Sequence, residues 1–344
     1  MRKYLIYTDC HFSQHSSIIR SRGQKYSVRL HNLINSISWA EHLADQENCD
    51  EVLCLGDFFD RPDLNAEELT ALQDVYFCDK PHTFLTGNHD ANISSLDFSS
   101  VQIFKSIKAK VITDIVKEEV NDKVELYFIP YLTGDKLRPL SEIVSGDKKK
   151  VVLAHNDIAG LQYGKFTSQS GFNINDILNN CTLFLDGHLH NGYVINDRIF
   201  LIGNLTGQNF NEDATRYDHY AYIMTVNDDG SICLDPYVNP YAFNFYKIKI
   251  VQRKDIKQLN NLKTNAVVSV TCNSDLLVDV SNILKEKSNI IEYRLVSLYT
   301  GTTIVDDVVD FKVEDHLQQF IDYVQTKIQP SDILTEELTK LKSM

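Results

Sequence analysis

Short apolar runs recur along this chain, and each of them ends in a polar or glycine-containing cluster. The first three, KYLIY, EVLCL and HTFL, alternate with two stretches of helical periodicity at residues 27–46 and 65–76. This order predicts β-α-β-α-β, which is typical of a layered α/β domain. Later runs, from KVITD to YAYIMTV, have less helix between them. We therefore expect a second sheet that packs against the first.

The pattern changes after about residue 240. FYKIKIV and NAVVSVTC have the character of strands and DLLVDVSNILKEKSN has helical spacing, so residues 241–304 are expected to form a small accessory α/β module. Residues 305–344 have the periodicity of amphipathic helices, with an apolar stripe made by Leu317, Phe320, Ile321, Val324 and Ile328. The predicted organisation is a main domain at 1–240, a module at 241–304 and helices at 305–344.

The composition is that of a globular protein. The 344 residues are 43% hydrophobic and 24% charged, and no run approaches the ~18 apolar residues of a membrane span. The seven cysteines are an odd number without a CxxC pair, which indicates free thiols in a reducing compartment. The apolar run at the N-terminus is too short for a signal peptide. We therefore expect a cytoplasmic protein with no membrane contact.

The formal net charge of the chain is −13. Because affinity for a phosphate backbone rests on Lys and Arg, this charge argues against a protein that binds nucleic acid through its overall field. Bound metal ions or a basic partner could supply the missing attraction. One denser basic patch, Arg20, Arg22, Lys25 and Arg29, is expected either to contact a DNA backbone or to be solvated surface.

Five strand-like runs end in side chains that bind metals or transfer protons. They deliver, in chain order, Asp9 and His11, Asp57 and Asp60, Asn88, His89 and Asp90, His155 and Asn156, and His188 and His190. Alone, each cluster has an ordinary explanation as a turn, a helix cap or a hydrogen-bonded histidine. Their succession after apolar strands favours one shared site, because ligands of open α/β sheets bind at the carboxyl ends of strands.

The residue types at this expected site suit divalent cations. Imidazole combined with carboxylate and amide oxygens is typical of Mn, Fe or Zn sites, and the lack of a thiolate set argues against structural zinc. Several such ligands and one bridging carboxylate suit two cations, which at about 3.5–4 Å apart can orient a hydroxide and neutralise both oxygens of a phosphoryl transfer. Whether His188 and His190 serve one metal, two metals or none depends on whether the strand continues through them.

The segments DCH, GDFFD, GNHD, AHND and GHLH, in this order, resemble the motifs of the calcineurin-like metallophosphoesterase superfamily. Within this superfamily the chain is similar to the Mre11/SbcD family of DNA repair and recombination nucleases. Its length is similar to that of the bacteriophage members of that family. GNHD ends in Asp where serine/threonine phosphatases typically have Glu. FLIGNLTGQNFNE parallels a family strand followed by Gly-Ser-Pro and an acidic residue; Asn204 and Leu205 replace Ser-Pro, while Glu212 keeps its place. The resemblance implies an α/β fold, a two-sheet sandwich flanked by helices, with a small capping domain and C-terminal helices.

The resemblance also implies a role for each motif residue. Two divalent ions, most often Mn²⁺, would be held by Asp9, His11 and His190 on one side and by Asn88, His155 and His188 on the other, with Asp57 bridging them. His89 would be the general acid that protonates the leaving oxygen. Asp90 would orient His89, with a turn residue as the alternative, and Asp60 falls where some members have His.

The implied activity is Mn²⁺-dependent cleavage of DNA, exonucleolytic and endonucleolytic, in repair or recombination. Members of the family work with an ABC-type ATPase of the Rad50/SbcC kind, and the helices at 305–344 would dock on its coiled coil or pack on their own domain. A homodimer through helices of the nuclease domain is also implied. Two alternatives keep the same fold: a metallophosphatase or small-molecule phosphodiesterase, and a non-catalytic scaffold, which should have lost ligands that this chain retains.

Overall fold

The computed structural model describes residues 1–16, 18–19, 25–92, 95–163, 166–298 and 303–304. In chain order the described strands are β1 (Arg2–Tyr7), β2 (Glu51–Cys54), β3 (His82–Leu85), β4 (Ala91–Asn92), β5 (Ser95–Ser99), β6 (Lys110–Ile112), β7 (Val116–Glu119), β8 (Val124–Ile129), β9 (Lys149–Ala154), β10 (Gln162–Tyr163), β11 (Phe166–Thr167), β12 (Leu183–Asp186), β13 (Tyr193–Ile195), β14 (Ile199–Leu201), β15 (Tyr220–Val226), β16 (Ile232–Val238), β17 (Asn244–Ile250), β18 (Ala266–Cys272), β19 (Ile290–Ser297) and β20 (Thr303–Ile304). The described α-helices are α1 (Val28–Gln46), α2 (Ala66–Leu72), α3 (Leu140–Ile143), α4 (Ile174–Asn180) and α5 (Leu277–Glu286). Short 3-10 helices span Ser100–Ile107, Gly134–Lys136, Arg253–Asn261 and Ser274–Leu276. Within these ranges, no helix combines the length and the apolar character needed to cross a bilayer.

Two six-stranded mixed sheets form the body of the protein. The first has the order β16-β15-β1-β2-β3-β6, parallel from β1 to β6, with two antiparallel strands at one edge. The second has the order β13-β14-β12-β9-β8-β7, in which the four inner strands are parallel and both edge strands antiparallel. The α/β fold with two sheets, expected from the sequence, is confirmed.

The two sheets face each other across a shared apolar core. Ile6 and Leu53 of the first sheet belong to one buried cluster with Leu126, Leu153 and Leu185 of the second. The opposite face of the first sheet is covered by α1, whose apolar side chains join another buried cluster. Because the inner strands are buried on both faces, their sequences are continuous apolar runs and do not alternate between apolar and polar residues.

The two helices between the first strands begin at residues with strong capping side chains. The hydroxyl of Ser27 accepts a hydrogen bond from the backbone N–H of Leu30 at the start of α1. Asn65 and Glu68 form a reciprocal capping box at the start of α2. Helix α1 matches the periodicity at 27–46, whereas α2 ends at Leu72, four residues before the expected end.

Residues after Pro240 form a separate four-stranded sheet of order β17-β18-β19-β20, parallel over its first three strands. Helix α5 and the 3-10 helix Arg253–Asn261 cover one face of this sheet. Phe245 and Val267 cluster instead with Phe210 and Ile19, which belong to the two-sheet body. The domain limits stay a prediction, and the helices expected at 305–344 lie outside the described residues.

A buried ion pair connects α1 to the first sheet. The carboxylate of Glu41 is fully buried and lies 3.0 Å from Nε2 of His82. Nδ1 of His82 lies 2.7 Å from the carbonyl oxygen of Lys80, so both ring nitrogens face acceptors and the ring carries both protons. The hydroxyl of Tyr7 and the thiol of Cys78 also donate to Glu41. Burial alone would lower the pKa of His82, but the bond to Glu41 outweighs it and raises the pKa.

We expect this pair to make stability depend on pH. Because the pKa of His82 is raised on folding, its contribution is fully present below the unfolded value of about 6.5 and is lost as pH rises through the folded pKa. Glu41→Gln should cost about 3–5 kcal/mol at pH 6 and flatten this part of the pH profile. Urea unfolding from pH 6 to 9 at constant metal concentration measures both effects, with exposed Glu142→Gln as the control. An unchanged pH slope in Glu41→Gln would rule out the pair as its source.

Candidate metal centre

The carboxyl ends of β1, β2 and β3 in the first sheet and of β9 and β12 in the second converge on one site. Each of these strands leads into one of the five motif segments. Four residues there have left-handed backbone, with φ of 50° at Asp9, 46° at His11, 47° at Asp57 and 66° at His188. Such values are uncommon outside glycine, cost of order 1–3 kcal/mol each, and cluster at functional sites.

Two glycines allow the motif segments to approach each other closely. A Cβ on Gly87 would lie 2.1 Å from Oδ1 of Asp57, and a Cβ on Gly56, whose φ is 96°, would lie 2.3 Å from Nδ1 of His155. A side chain at either position would displace a residue of the site. The glycines of GDFFD and GNHD are therefore required by close packing, and the one in GDFFD also by its backbone.

The first group of expected ligands comprises Asp9, His11 and His190. Nε2 of His11 lies 3.2 Å from Nε2 of His190, and Oδ1 of Asp9 lies 3.8 Å from each of these nitrogens. Oδ2 of Asp9 accepts hydrogen bonds from the hydroxyl of Thr8 and the backbone N–H of His188, at 2.7 and 3.0 Å. These bonds fix the carboxylate so that Oδ1 is its free oxygen.

The second group comprises Asn88, His155 and His188. Oδ1 of Asn88 lies 3.2 Å from Nε2 of His155 and 3.0 Å from Nδ1 of His188. One amide oxygen thus lies between two imidazole nitrogens. The two histidines of GHLH fall into different groups, because β12 ends at Asp186 and His188 has left-handed backbone.

Asp57 lies between the two groups. Its Oδ2 is 3.1 Å from Nε2 of His155 and 3.7 Å from Nε2 of His11. Its Oδ1 accepts a hydrogen bond of 2.8 Å from the backbone N–H of His89. One oxygen therefore holds the GNHD segment, and the other is shared by the two groups.

The donor atoms of both groups fit divalent cations. Nδ1 of His155 lies 2.6 Å from the carbonyl oxygen of Leu55 and must carry the proton. The lone pair on Nε2 of a neutral His155 then meets the lone pairs of Asn88 and Asp57, and either a proton on Nε2 or a bound metal ion would relieve this contact. In the first group, Oδ1 of Asp9 is buried without a hydrogen-bond partner in the described structure. Both features are what a metal site requires.

The pKa shifts of these residues report the same convergence of charge. Burial alone would raise the pKa of Asp57, but His155 and His11 outweigh it and hold the pKa below its usual value. Burial lowers the pKa of His155, and the larger effect of Asp57 and Asp9 raises it to about 10. The pKa of His11 likewise rises to about 10, through Asp60 and Asp9. Without a metal these rings attract protons, and a divalent ion would take the protons' place.

Three carboxylates contact the ring nitrogens that face away from the ligand groups. Oδ1 of Asp60 lies 3.1 Å from Nδ1 of His11, Oε1 of Glu212 lies 3.4 Å from Nδ1 of His190, and Oδ1 of Asp157 lies 3.4 Å from Nε2 of His188. Such contacts orient metal-binding histidines and fix which nitrogen is free.

Sequence reasoning placed Asp60 and Glu212 near the site but missed Asp157, although it is the last residue of AHND. Glu212 is further held by the side chain of Asn204 and the backbone N–H of Gln208. It therefore fixes the segment after β14 against the first group.

His89 stands at the open side of the site. Its side chain is 44% exposed, and its Nδ1 lies 3.0 Å from the backbone carbonyl oxygen of Asp60, so Nδ1 carries a proton and Nε2 is the nitrogen left to exchange one with a substrate. The ring lies edge-on to His11, with centroids 4.5 Å apart. This geometry suits a proton donor beside the first group.

The structure corrects the role expected for Asp90. Its fully buried carboxylate accepts hydrogen bonds from the backbone N–H groups of Phe59 and Gly87, at 2.8 and 2.9 Å, and does not orient His89. Asp60 has that function instead. Burial and the nearby charge of Asp57 raise the pKa of Asp90 to about 7. Asp90 therefore joins GNHD to GDFFD, which is closer to the alternative of a turn residue.

In the basic patch expected at 20–29, the structure corrects Arg29, which is not on the surface, whereas Lys25 agrees with the alternative of a solvated surface. Arg29 is buried and donates to the carbonyl oxygen of Gly207 at 2.7 Å. Lys25 forms an ion pair with Asp74. Neither is a free surface cation, because loops from other parts of the chain cover or neutralise them. Arg20 and Arg22 lie outside the described residues.

Comparison with known families decides the identity of this site. A model described as calcineurin-like phosphoesterase matches residues 2–225, a range that contains both ligand groups. The chain belongs to this family. As a calcineurin-like phosphoesterase it is a metal-dependent phosphoester hydrolase, and its His and Asp clusters are consistent with the dimetal site typical of the family.

Two solved structures resemble this calcineurin-like phosphoesterase. An archaeal phosphodiesterase is 13% identical with a TM-score of 0.33, over 68% of this chain and 99% of its own. A dimetal phosphatase from Danio rerio is 12% identical with a TM-score of 0.43, over 69% of this chain and 96% of its own. Likenesses this weak bear on neither substrate nor mechanism. Among curated proteins, none matches significantly.

Proposed function

We propose that this phosphoesterase cleaves the phosphodiester bonds of DNA with two Mn²⁺ ions, as a nuclease of the Mre11/SbcD type in repair or recombination. The observation that carries the hydrolytic chemistry is the position of Asp57, whose Oδ2 is shared by two ligand groups. The DNA substrate is supported by the motif resemblance and by Glu212. This acidic residue follows β14 at the family's spacing and contacts His190.

The residues around the shared oxygen divide the work of phosphoester hydrolysis. Two cations held by the two ligand groups and Asp57 would supply charge neutralisation and activation of the attacking water. The doubly protonated ring of His89 would donate its Nε2 proton to the leaving oxygen, while its Nδ1–H stays bonded to the carbonyl oxygen of Asp60. Asp57 holds the backbone at His89 and so fixes the donor relative to both metal positions.

An exposed face supports a polymeric substrate. The side chains of His89, His190 and His188 are 44, 25 and 18% exposed, whereas those of His11 and His155 are at most 3% exposed. The expected ligands are therefore buried behind the site and accessible on one side. A phosphodiester within a long strand can approach such a face without entering an enclosed pocket.

A metallophosphatase or small-molecule phosphodiesterase is the second candidate function. The net charge of −13 opposes a polyanion, and neither Arg29 nor Lys25 is a free surface cation. The calcineurin-like family match itself names phosphoester hydrolysis without a polymer. A small phosphoester meets the same ligand groups and needs no extended basic surface.

We further propose that the nuclease works with a Rad50/SbcC-like ABC-type ATPase through residues 305–344, and that two copies can associate. An ATPase partner would supply the positive field that a chain of net charge −13 lacks. Copurification of full-length chain with such a partner, and its loss on deletion of 305–344, would test the contact.

Substrate preference separates the two functions. With Mn²⁺, the purified protein is expected to degrade linear duplex DNA and to hydrolyse bis(p-nitrophenyl) phosphate and p-nitrophenyl phosphate only slowly. Asp57→Asn, purified in parallel, excludes a contaminating nuclease. Rapid hydrolysis of the small esters without DNA degradation would favour the second candidate. If nothing reacts even with the ATPase partner and ATP, both functions are wrong.

A further inference from the structure

Among the four histidine rings of the two ligand groups, His188 is the one whose inward nitrogen is Nδ1. In the first group Nε2 of His11 faces Nε2 of His190, and His155 also presents Nε2. His188 presents Nδ1 to Asn88 at 3.0 Å, and its Nε2 lies 3.4 Å from Oδ1 of Asp157. The ring is therefore held at both nitrogens by side chains, and its free nitrogen depends on what Asp157 holds.

The use of Nδ1 instead of Nε2 at His188 matters because a neutral imidazole has one nitrogen with a free lone pair. If the proton is on Nε2, Nδ1 is free to bind a metal; if it is on Nδ1, the lone pair points away from the site. A carboxylate at Nε2 favours the first tautomer because it can only accept. In His155, of the same group, the equivalent hydrogen bond runs from Nδ1–H to the buried carbonyl oxygen of Leu55, which accepts it. The contact at His188 is made instead by a side chain.

Asp157 is itself fixed by its backbone. Its carbonyl oxygen accepts a hydrogen bond of 2.9 Å from the N–H of Phe172. Gly171, with φ of 108°, packs so closely that a Cβ there would lie 2.0 Å from the same oxygen. The side chain is 25% exposed beside a ring that is 18% exposed. The carboxylate is thus held at the accessible side of the second group, where solvent would otherwise compete for Nε2.

We propose that Asp157 is a positioning residue that sets the affinity of the second metal position, formed by Asn88, His155 and His188. It does so by holding the ring of His188 in the tautomer and orientation that leave Nδ1 free. This inference rests on the proposed two-metal chemistry of the site. It is independent of whether DNA or a small phosphoester is the substrate.

Metal binding tests the role directly. Calorimetric titration with Mn²⁺ should show two ions for the wild type. Asp157→Ala is expected to weaken one of them by about 10- to 100-fold and leave the other at wild-type affinity. With two equivalents of Mn²⁺ per protein, at a concentration that fills both sites of the wild type, paramagnetic resonance should show an exchange-coupled pair of ions in the wild type. Asp157→Ala should show the signal of an isolated Mn²⁺ ion, because its weakened site stays largely empty. A merely structural role would not change this spectrum selectively.

Two further variants serve as the rescue and the control for Asp157→Ala. Asp157→Asn keeps an acceptor oxygen for Nε2 and should restore at least part of the lost affinity, whereas Asp147→Asn removes an exposed carboxylate elsewhere and should change nothing. Equal weakening of both ions in Asp157→Ala, unchanged binding, or no rescue by Asp157→Asn would overturn the proposal. If the wild type itself binds fewer than two ions, the two-metal function fails as well, which separates the two failures.

Discussion

The His89→Ala variant is expected to keep both metal ions and its fold while losing about 10²- to 10⁴-fold in kcat on DNA. Metal binding should survive because the bond between Asp57 and residue 89 uses the backbone N–H, which alanine retains. The fold should survive because the ring is 44% exposed. Mn²⁺ content, thermal unfolding and the rate of DNA cleavage measure the three parts of this result.

Substrates with different leaving groups can show whether His89 acts by donating a proton. The 3′ or 5′ oxygen of a nucleotide leaves poorly without a proton, whereas nitrophenolate leaves readily as the anion. His89→Ala should therefore lose much less activity on bis(p-nitrophenyl) phosphate than on DNA. His42→Ala, which removes an exposed ring stacked on Tyr76, is the matched control and should match the wild type. Equal losses on both esters, or loss of Mn²⁺, would contradict the role of His89 as an acid.

The position of the site could be predicted from the sequence because it depends on strand polarity. Buried parallel strands such as β2 and β9 are continuous apolar runs, so their ends are visible without knowledge of the tertiary structure. Parallel strands bring their carboxyl ends to one edge, and polar clusters at those ends must meet there. The register by which two separate sheets face each other was not visible, since it depends on contacts distant in sequence.

Some strands were hard to predict because their sequences lack a regular apolar pattern. β16 contains Pro236, which argues against a strand, but it pairs only with β15 and lies at the edge of its sheet. β19 has a half-buried, mixed pattern, and its pairing with β18 shifts register between Ala266 and Val267. Such strands form because a neighbouring strand offers partners, and this information is not local.

Within the site, the residues that act through others had the weakest sequence signals. The sequence alone left open whether His188 and His190 face one metal or two, and the resemblance implied the division that the structure shows as two groups. Asp157 could not be assigned because its role depends on the left-handed turn at His188. Arg29 was misplaced at the surface because its partner, the carbonyl oxygen of Gly207, lies in the loop between β14 and β15, far along the chain. Tertiary contacts decide all three.

The Asp57→Asn variant is expected to lose both metal ions and at least about 10³-fold in kcat. The amide oxygen can keep the hydrogen bond from the N–H of His89, which Oδ1 now accepts at 2.8 Å. The NH₂ group then replaces Oδ2, the atom that lies 3.1 Å from His155 and 3.7 Å from His11. A donor without a lone pair cannot bind a cation, so one substitution affects both metal positions. The expected loss in kcat corresponds to about 4 kcal/mol of transition-state stabilisation, which the two cations would otherwise provide by neutralising charge.

The backbone at Asp57 requires a matched control. Its φ of 47° is left-handed, and Asn tolerates that region as well as Asp does, so Asp57→Asn should fold normally. Asp197, exposed and with φ of 52°, offers the same substitution with the same charge change away from the site. Asp197→Asn should bind two Mn²⁺ ions and cleave at the wild-type rate. If Asp57→Asn binds one ion normally and loses only the other, Asp57 binds a single metal ion. Its Oδ2 would then lie near both ligand groups without coordinating both ions.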